Sequence, residues 1–203
     1  VIAALLGEGS SDRALMPILR WIVDRATPDD VRIERIDTFP TRANTLQQKV
    51  EAARLVCPCE LLFVHRDADN QPPEWRYEEI RRAVGDTVYV AVVPIRTTEA
   101  WLLIDVPMIR AAAGRPSGTN DLDLPKLAKI ESESRPKERL EEALRRAHGA
   151  TGRRAHKFHP PSAINRLANL IEDWSPLREV GAFQRLEADT RAALGRLGLA
   201  LKP

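Results

Sequence analysis

Apolar positions follow two periods along the first half of the chain and only one along the second. Residues 1–6 (VIAALL) are a short apolar run of the kind that forms a buried strand. Gly7-Glu8-Gly9-Ser10-Ser11-Asp12 follows. Its glycines permit a tight turn, and Ser10 or Ser11 can cap a helix that begins near Asp12. Leu15, Ile18, Leu19, Ile22 and Val23 make one stripe on that helix, and Thr27-Pro28-Asp29-Asp30 ends it. Residues 31–39 (VRIERIDTF) alternate apolar and polar, which predicts a second, partly exposed strand. Residues 46–56 read as a helix. Leu61-Leu62-Phe63-Val64 opens a third strand that runs out into His65-Arg66-Asp67-Ala68-Asp69. A charged helix over 73–84 starts at the double proline, Gly85-Asp86 turns the chain, and residues 87–95 (TVYVAVVPI) have the composition of a fourth strand. Residues 97–104 then begin a helix with Thr97 or Thr98 as its cap.

This β-α-β-α-β-α-β-α order predicts an α/β fold, with a mainly parallel four-stranded sheet flanked by helices. After about residue 106 no strand-like run remains. Residues 114–120 read as a loop, residues 137–147, 160–173 and 180–197 as helices, and 199–203 as a frayed tail. The expected organisation is therefore an α/β domain over 1–106 and a helical extension over 107–203 packed on it.

Composition narrows the class only a little. With 203 residues, 43% hydrophobic and 30% charged, the chain can bury a good core as a globular protein. Its formal net charge of +2 argues neither for nor against nucleic acid. No apolar run approaches the length of a membrane span, no signal peptide is read, and a start at Val1 rather than Met suggests a trimmed N-terminus. Cys57 and Cys59 alone cannot complete a zinc site, and their spacing is not the redox Cys-x-x-Cys. A structural role in a reducing cytoplasm is expected for them.

The candidate chemistry lies at the strand ends. In an extended segment, Asp67 and Asp69 point to one side, and two carboxylates that close need a cation. Oxygen-only donors suit Mg²⁺ or Mn²⁺. A solvated turn built on Asp69-Asn70 and Pro72-Pro73 is the alternative. Glu8 follows strand one and Glu99 follows strand four, so a parallel sheet carries all these acids to one edge, with Asp12 within reach. Taken singly, Glu8 and Glu99 also read as first-turn acids that favour a helix dipole. Trp101 reads as a core residue, and His65, pointing opposite to Arg66, as a packed histidine.

Gly7-Glu8-Gly9-Ser10-Ser11-Asp12 after one strand and Asp67-Ala68-Asp69 after a later one resemble the TOPRIM domain of topoisomerases, DnaG-type primases and the overcoming-lysogenization-defect (OLD) nucleases. The block Glu99-Ala-Trp-Leu-Leu-Ile-Asp105, with Trp174-Ser-Pro-Leu-Arg178 and Ala182-Phe-Gln-Arg-Leu186, resembles the narrower bacterial family called domain of unknown function 4276. The resemblance implies a TOPRIM-like, Rossmann-like fold and a metal-dependent nuclease. In that reading Glu8 is the general acid/base or a metal ligand, Asp67 and Asp69 bind Mg²⁺, and Asp12 matches the acid that follows the glutamate motif in OLD-like nucleases. Glu99 joins them as a further ligand by convergence alone. Families of this type also resemble components of anti-phage systems controlled by a separate ATPase. This chain has no Walker A motif to supply one. A nucleic-acid-binding or regulatory partner subunit of an ATPase is therefore the alternative function. Strand passage and priming lack their other domains. The haloacid dehalogenase pattern fails because its aspartates follow the first strand and because Gln71 stands where Thr is expected.

A nucleic-acid substrate needs cations. Arg153-Arg154-Ala155-His156-Lys157-Phe158-His159 reads as a basic loop lying over the acidic rim, with Arg153, Arg154, Lys157 and His159 on phosphate and Lys157 or His159 stabilising the leaving charge. A solvated loop is its alternative. Arg66 and Arg96 flank the rim, either to bind phosphate or to neutralise the acids.

Overall fold

Four strands form one sheet: β1 (Ile2–Leu6), β2 (Arg32–Ile36), β3 (Leu61–His65) and β4 (Tyr89–Val92), in the order β2-β1-β3-β4 with every pair parallel. The computed structural model describes residues 1–37 and 43–203, and the side chains of these except Ser10, Arg153, Arg154 and Ala155. The central strands carry apolar runs because helices cover both of their faces: β3 is buried at every position, and β1 at every position but Ile2. β2 is an edge strand and keeps its alternation, with Ile33 and Ile36 buried and Arg32 exposed. The predicted strand over 31–39 thus narrows to Arg32–Ile36, and residues 38–39 fall outside the described residues. β4 is shorter than the predicted 87–95 because Pro94 has no N–H to donate. Bonding across the pair nevertheless continues: Arg66 N donates to Val92 O, Ala68 N to Pro94 O and Asp69 N to Arg96 O, at 3.1, 3.1 and 2.9 Å.

The helices divide between the two faces according to the pleat. Helices α1 (Leu15–Ala26), α2 (Leu46–Val56) and α3 (Pro73–Val84) follow β1, β2 and β3. α2 and α3 cover Ala4, Leu6, Leu62, Val64 and Ala91. Thr45 and Gln48 start α2 with a reciprocal capping box. On the other face α1 shares a core with Ala3, Leu5, Leu61, Phe63, Val90 and Val92. That core continues into the second half of the chain, where α4 (Val106–Ala112), α5 (Pro136–His148), α7 (Pro160–Leu170) and α8 (Gly181–Arg196) pack on one another, on α1 and on β4. The molecule is therefore an α/β Rossmann-like fold with C-terminal helices. Among the described residues, no helix is long and apolar enough to cross a membrane. Cys57 and Cys59 are free thiols, and burial first of all pushes Cys59 up to about 11, which keeps it unreactive.

Three expectations are corrected. The helix expected over 97–104 is a 3₁₀ turn, Thr98–Leu102, followed by a fresh start at α4, where the Asp105 carboxylate accepts from Met108 N at 3.0 Å and Pro107 occupies the first turn. The basic run expected in a loop is largely a short helix, α6 (Gly152–Lys157), since nothing between Gly152 and Pro160 breaks one. The tail is not frayed. Thr27 Oγ1 donates to Ala200 O at 2.6 Å, Ala200 N donates to Asp29 Oδ2 at 2.8 Å, and Lys202 N donates to Ala26 O at 2.9 Å. Thr27 is 2% exposed, so Thr27→Val strands a carbonyl partner and is expected to lower stability by about 1–2 kcal/mol. A denaturant midpoint equal to wild type would mean that the clasp contributes nothing.

Candidate functional site at the sheet switch point

The strand order reverses direction between β1 and β3, and ligand clefts of open parallel sheets form at the carboxyl ends flanking such a switch. Glu8 leaves β1 there and Asp67 leaves β3. They meet: Asp67 N donates to Glu8 Oε2 at 3.1 Å.

Asp12 fixes the first of these loops. Its Oδ2 accepts from Glu8 N at 2.5 Å and from Gly9 N at 3.0 Å, and its Oδ1 accepts from Ser11 Oγ at 3.3 Å. A Cβ on residue 7 would stand 2.6 Å from that Oδ2, which accounts for Gly7. The N-cap expected of Ser10 or Ser11 falls instead to Gly9, with Asp12 reaching back to satisfy the free N–H groups.

His65 joins the two loops. It is 1% exposed, its Nδ1 stands 3.1 Å from Asp12 Oδ2, and its Nε2 is 3.1 Å from Asp67 Oδ1 and 3.2 Å from Thr98 Oγ1. The Nδ1 contact is an ion pair lying off the line of a straight hydrogen bond. Thr98 N completes the Asp67 Oδ1 cluster at 3.2 Å. Burial disfavours a charged imidazole, but the two carboxylates outweigh it and raise His65 to about 9. Burial likewise pushes Asp12 up, yet His65 and the two backbone N–H groups bring it down to about 2. At neutral pH the group is an imidazolium held between two carboxylates.

Arginines neutralise the outer acids. Arg66 pairs with Glu8 and, at 3.1 Å, with Glu79. Arg76 pairs with Glu79 at 3.0 Å and Asp69 at 3.4 Å, and it donates to Asp67 O at 2.9 Å. Asp69 does not share the direction of Asp67. Its φ of 54° is left-handed rather than extended, which ends the period-two geometry, and it does not line the pocket described next. Arg96, with φ 70°, bonds the Asn70 side chain.

A pocket of about 110 Å³ opens between Asp12, Asp67, Thr97, Thr98, Glu99 and Lys137. Glu99 is 7% exposed and, among the described residues, has neither a hydrogen bond nor an ion pair. Lys137 also forms no ion pair among them, and the Thr97 hydroxyl is buried without a partner. Of the acids expected at one rim, Asp12, Asp67 and Glu99 line this pocket and Glu8 adjoins it through Asp67 N. Lys157 and His159 do not join them and line a separate cavity, while the side chains of Arg153 and Arg154 lie outside the described residues.

As for a metal, Asp67 and Glu99 line the pocket, and among the described residues Asp67 Oδ2 and the Glu99 carboxylate have no partner, an oxygen-donor set that suits Mg²⁺ or Mn²⁺. Asp12 is occupied on both oxygens by its own loop and Asp69 by Arg76. Among the described residues no three His, Cys, Asp or Glu side chains already form an ion-sized cluster.

His65, Thr98 and Lys137 were not anticipated as site residues. The period of two does place His65 beside Asp67, so that signal was present. Lys137 begins a helix distant in sequence, and nothing local marks it. Comparison with protein-family models, with curated proteins and with solved structures gives no match.

Proposed function

We propose that this pocket binds Mg²⁺ or Mn²⁺ and hydrolyses phosphodiester bonds in nucleic acid, with Asp67 and Glu99 as pocket ligands and Glu8, bonded to the Asp67 backbone, as the general base. The observation that carries the reading is Glu99, a buried carboxylate without a partner among the described residues, beside Asp67 in a pocket wide enough for a few waters. An unpaired buried carboxylate is costly, and a cation relieves that cost. A bound divalent ion supplies Lewis-acid polarisation of a phosphoryl oxygen and a more acidic water. Lys137, which also lines the pocket, is the cation that binds a phosphate oxygen in this reading. Arg66 orients the Glu8 carboxylate, which in this reading accepts a proton from an attacking water. Asp12 and His65 are positioning residues, holding the Glu8 loop and Asp67.

Calorimetry with Mn²⁺ tests the reading, followed by cleavage of labelled DNA and RNA. Glu99→Gln and Asp67→Asn are each expected to weaken Mn²⁺ binding by about tenfold or more, and Glu8→Gln to remove cleavage while the fold persists. If the wild-type protein takes up no Mn²⁺ at about 5 mM, the enzymatic reading is lost.

A second reading, a subunit that binds a partner such as an ATPase, is favoured by Trp75. This side chain is 64% exposed, and it borders a groove with Leu46 and Ala83 between α2 and α3. Absence of both metal binding and cleavage would move the function there.

A further inference from the structure

The basic residues that miss the acidic rim build a cavity of their own. It has a volume of about 480 Å³, within the range of small-ligand sites. Its walls are the carboxyl ends of α4 and α5, the link from α6 to α7, and the first turns of α7. Among the described residues, none lines both this cavity and the acidic pocket.

Among the described residues, four basic side chains line it, His148, Lys157, His159 and Arg166, and no aspartate or glutamate does. Lys157 and Arg166 form no ion pair among the described residues. Arg166 donates one N–H to Ala112 O at 3.3 Å, which orients the guanidinium, and its other donors have no partner among the described residues. His148 Nδ1 is 2.9 Å from Ala113 O. A carbonyl only accepts, so Nδ1 carries the hydrogen and Nε2 is left for another group. His159 Nδ1 meets Ser162 Oγ at 2.9 Å. Cations gathered without a counter-charge repel one another, and a bound anion relieves that.

The cavity also has an aromatic wall. Phe158 and His148 stack with centroids 4.4 Å apart and planes 16° from parallel. Flat apolar surface next to fixed cations matches a ligand that carries a flat ring and a phosphate together.

We propose that this cavity binds a nucleoside 5′-phosphate, either as a free mononucleotide or as one unit of a single strand. Lys157 and Arg166 hold the phosphate, and the Phe158–His148 stack meets the base. This site goes beyond the metal reading of the rim and does not depend on it.

Calorimetry in EDTA, where no rim-bound ion contributes, tests the assignment with 5′-AMP, 5′-UMP, adenosine, inorganic phosphate and a 5′-phosphorylated tetranucleotide. Both mononucleotides are expected to bind with Kd between about 10 μM and 1 mM, and adenosine and phosphate each about tenfold more weakly. The double variant Lys157→Ala/Arg166→Ala is expected to lose about tenfold in affinity with an unchanged melting temperature, since both side chains are exposed. A tetranucleotide that binds about tenfold tighter than the mononucleotides assigns the site to a strand, and equal affinity assigns it to free nucleotide. The proposal is overturned if neither nucleotide binds, if phosphate or adenosine alone binds as tightly as 5′-AMP, or if the double variant binds like wild type.

Discussion

His65→Ala is expected to lower the unfolding free energy by about 3–5 kcal/mol at neutral pH, the range for removing one partner of a buried ion pair. The substitution leaves Asp12 and Asp67 facing each other across a space that held their cation, and Asp12 is 4% exposed. Its loop cannot relax easily, because the same carboxylate holds Glu8 N and Gly9 N. The pH dependence separates lost charge from lost volume. His65 is raised from 6.5 to about 9, so its contribution is complete below pH 6.5 and disappears as pH rises through about 9. Asp12 is depressed from 3.8 to about 2, so its contribution is present above pH 3.8 and is lost as pH falls through about 2. Wild-type stability from this group should therefore be greatest between about pH 4 and 6.5 and decline on the alkaline side, by on the order of 3 kcal/mol. In His65→Ala that alkaline decline should vanish. Adding Asp12→Asn, which keeps an oxygen for the two N–H groups, should make the double variant less costly than the sum of the singles. Urea titrations across this pH range check both statements. A variant within about 1 kcal/mol of wild type at pH 6 would show that the imidazolium is not what holds the loops.

Trp101→Ala is expected to cost about 3–5 kcal/mol. The indole is fully buried and meets Phe183 of α8 edge-on, with centroids 5.8 Å apart, and Phe183 in turn meets Trp21 of α1 at 6.2 Å. Three rings thus join the 3₁₀ turn after β4 to the first and last long helices. Trp101 Nε1 has no partner among the described residues. Trp101→Phe therefore removes an unsatisfied donor along with some volume, and should cost less than about 1.5 kcal/mol. Equal losses in the two variants would rule out ring packing as the source. Since Thr98 and Glu99 stand in the same turn, Trp101→Ala should also loosen the rim, read as weaker Mn²⁺ binding in the folded fraction.

The elements were legible where one physical effect dominated. Apolar runs marked β1 and β3 because a doubly covered strand has no polar face, and α2 and α3 match their predicted bounds because Thr45 and the double proline punctuate them. The convergence of Glu8, Asp67 and Glu99 also followed from parallel topology alone. The failures came from tertiary partners. Asp69 left the rim through a left-handed backbone angle that its residue type only permits. The tail was held by Thr27, about 170 residues away in sequence. Basic residues that looked suited to the acidic rim were carried by α6 and α7 to a different cavity, a placement set by helix packing and not by charge. His65 looked like an ordinary core residue because its partners are visible only once two loops are brought together.

The clasp at the tail has a practical consequence for experiments. Val1 N donates to Asp30 O at 3.1 Å, and Lys202 N donates to Ala26 O, so residues 1 and 202 are both tied to the end of α1 and the segment that leads from it to β2. That segment enters β2 at the amino edge of the sheet, whereas the pocket lies at the carboxyl edge. A fluorophore attached at residue 1 or residue 202 therefore sits behind the sheet, away from the rim.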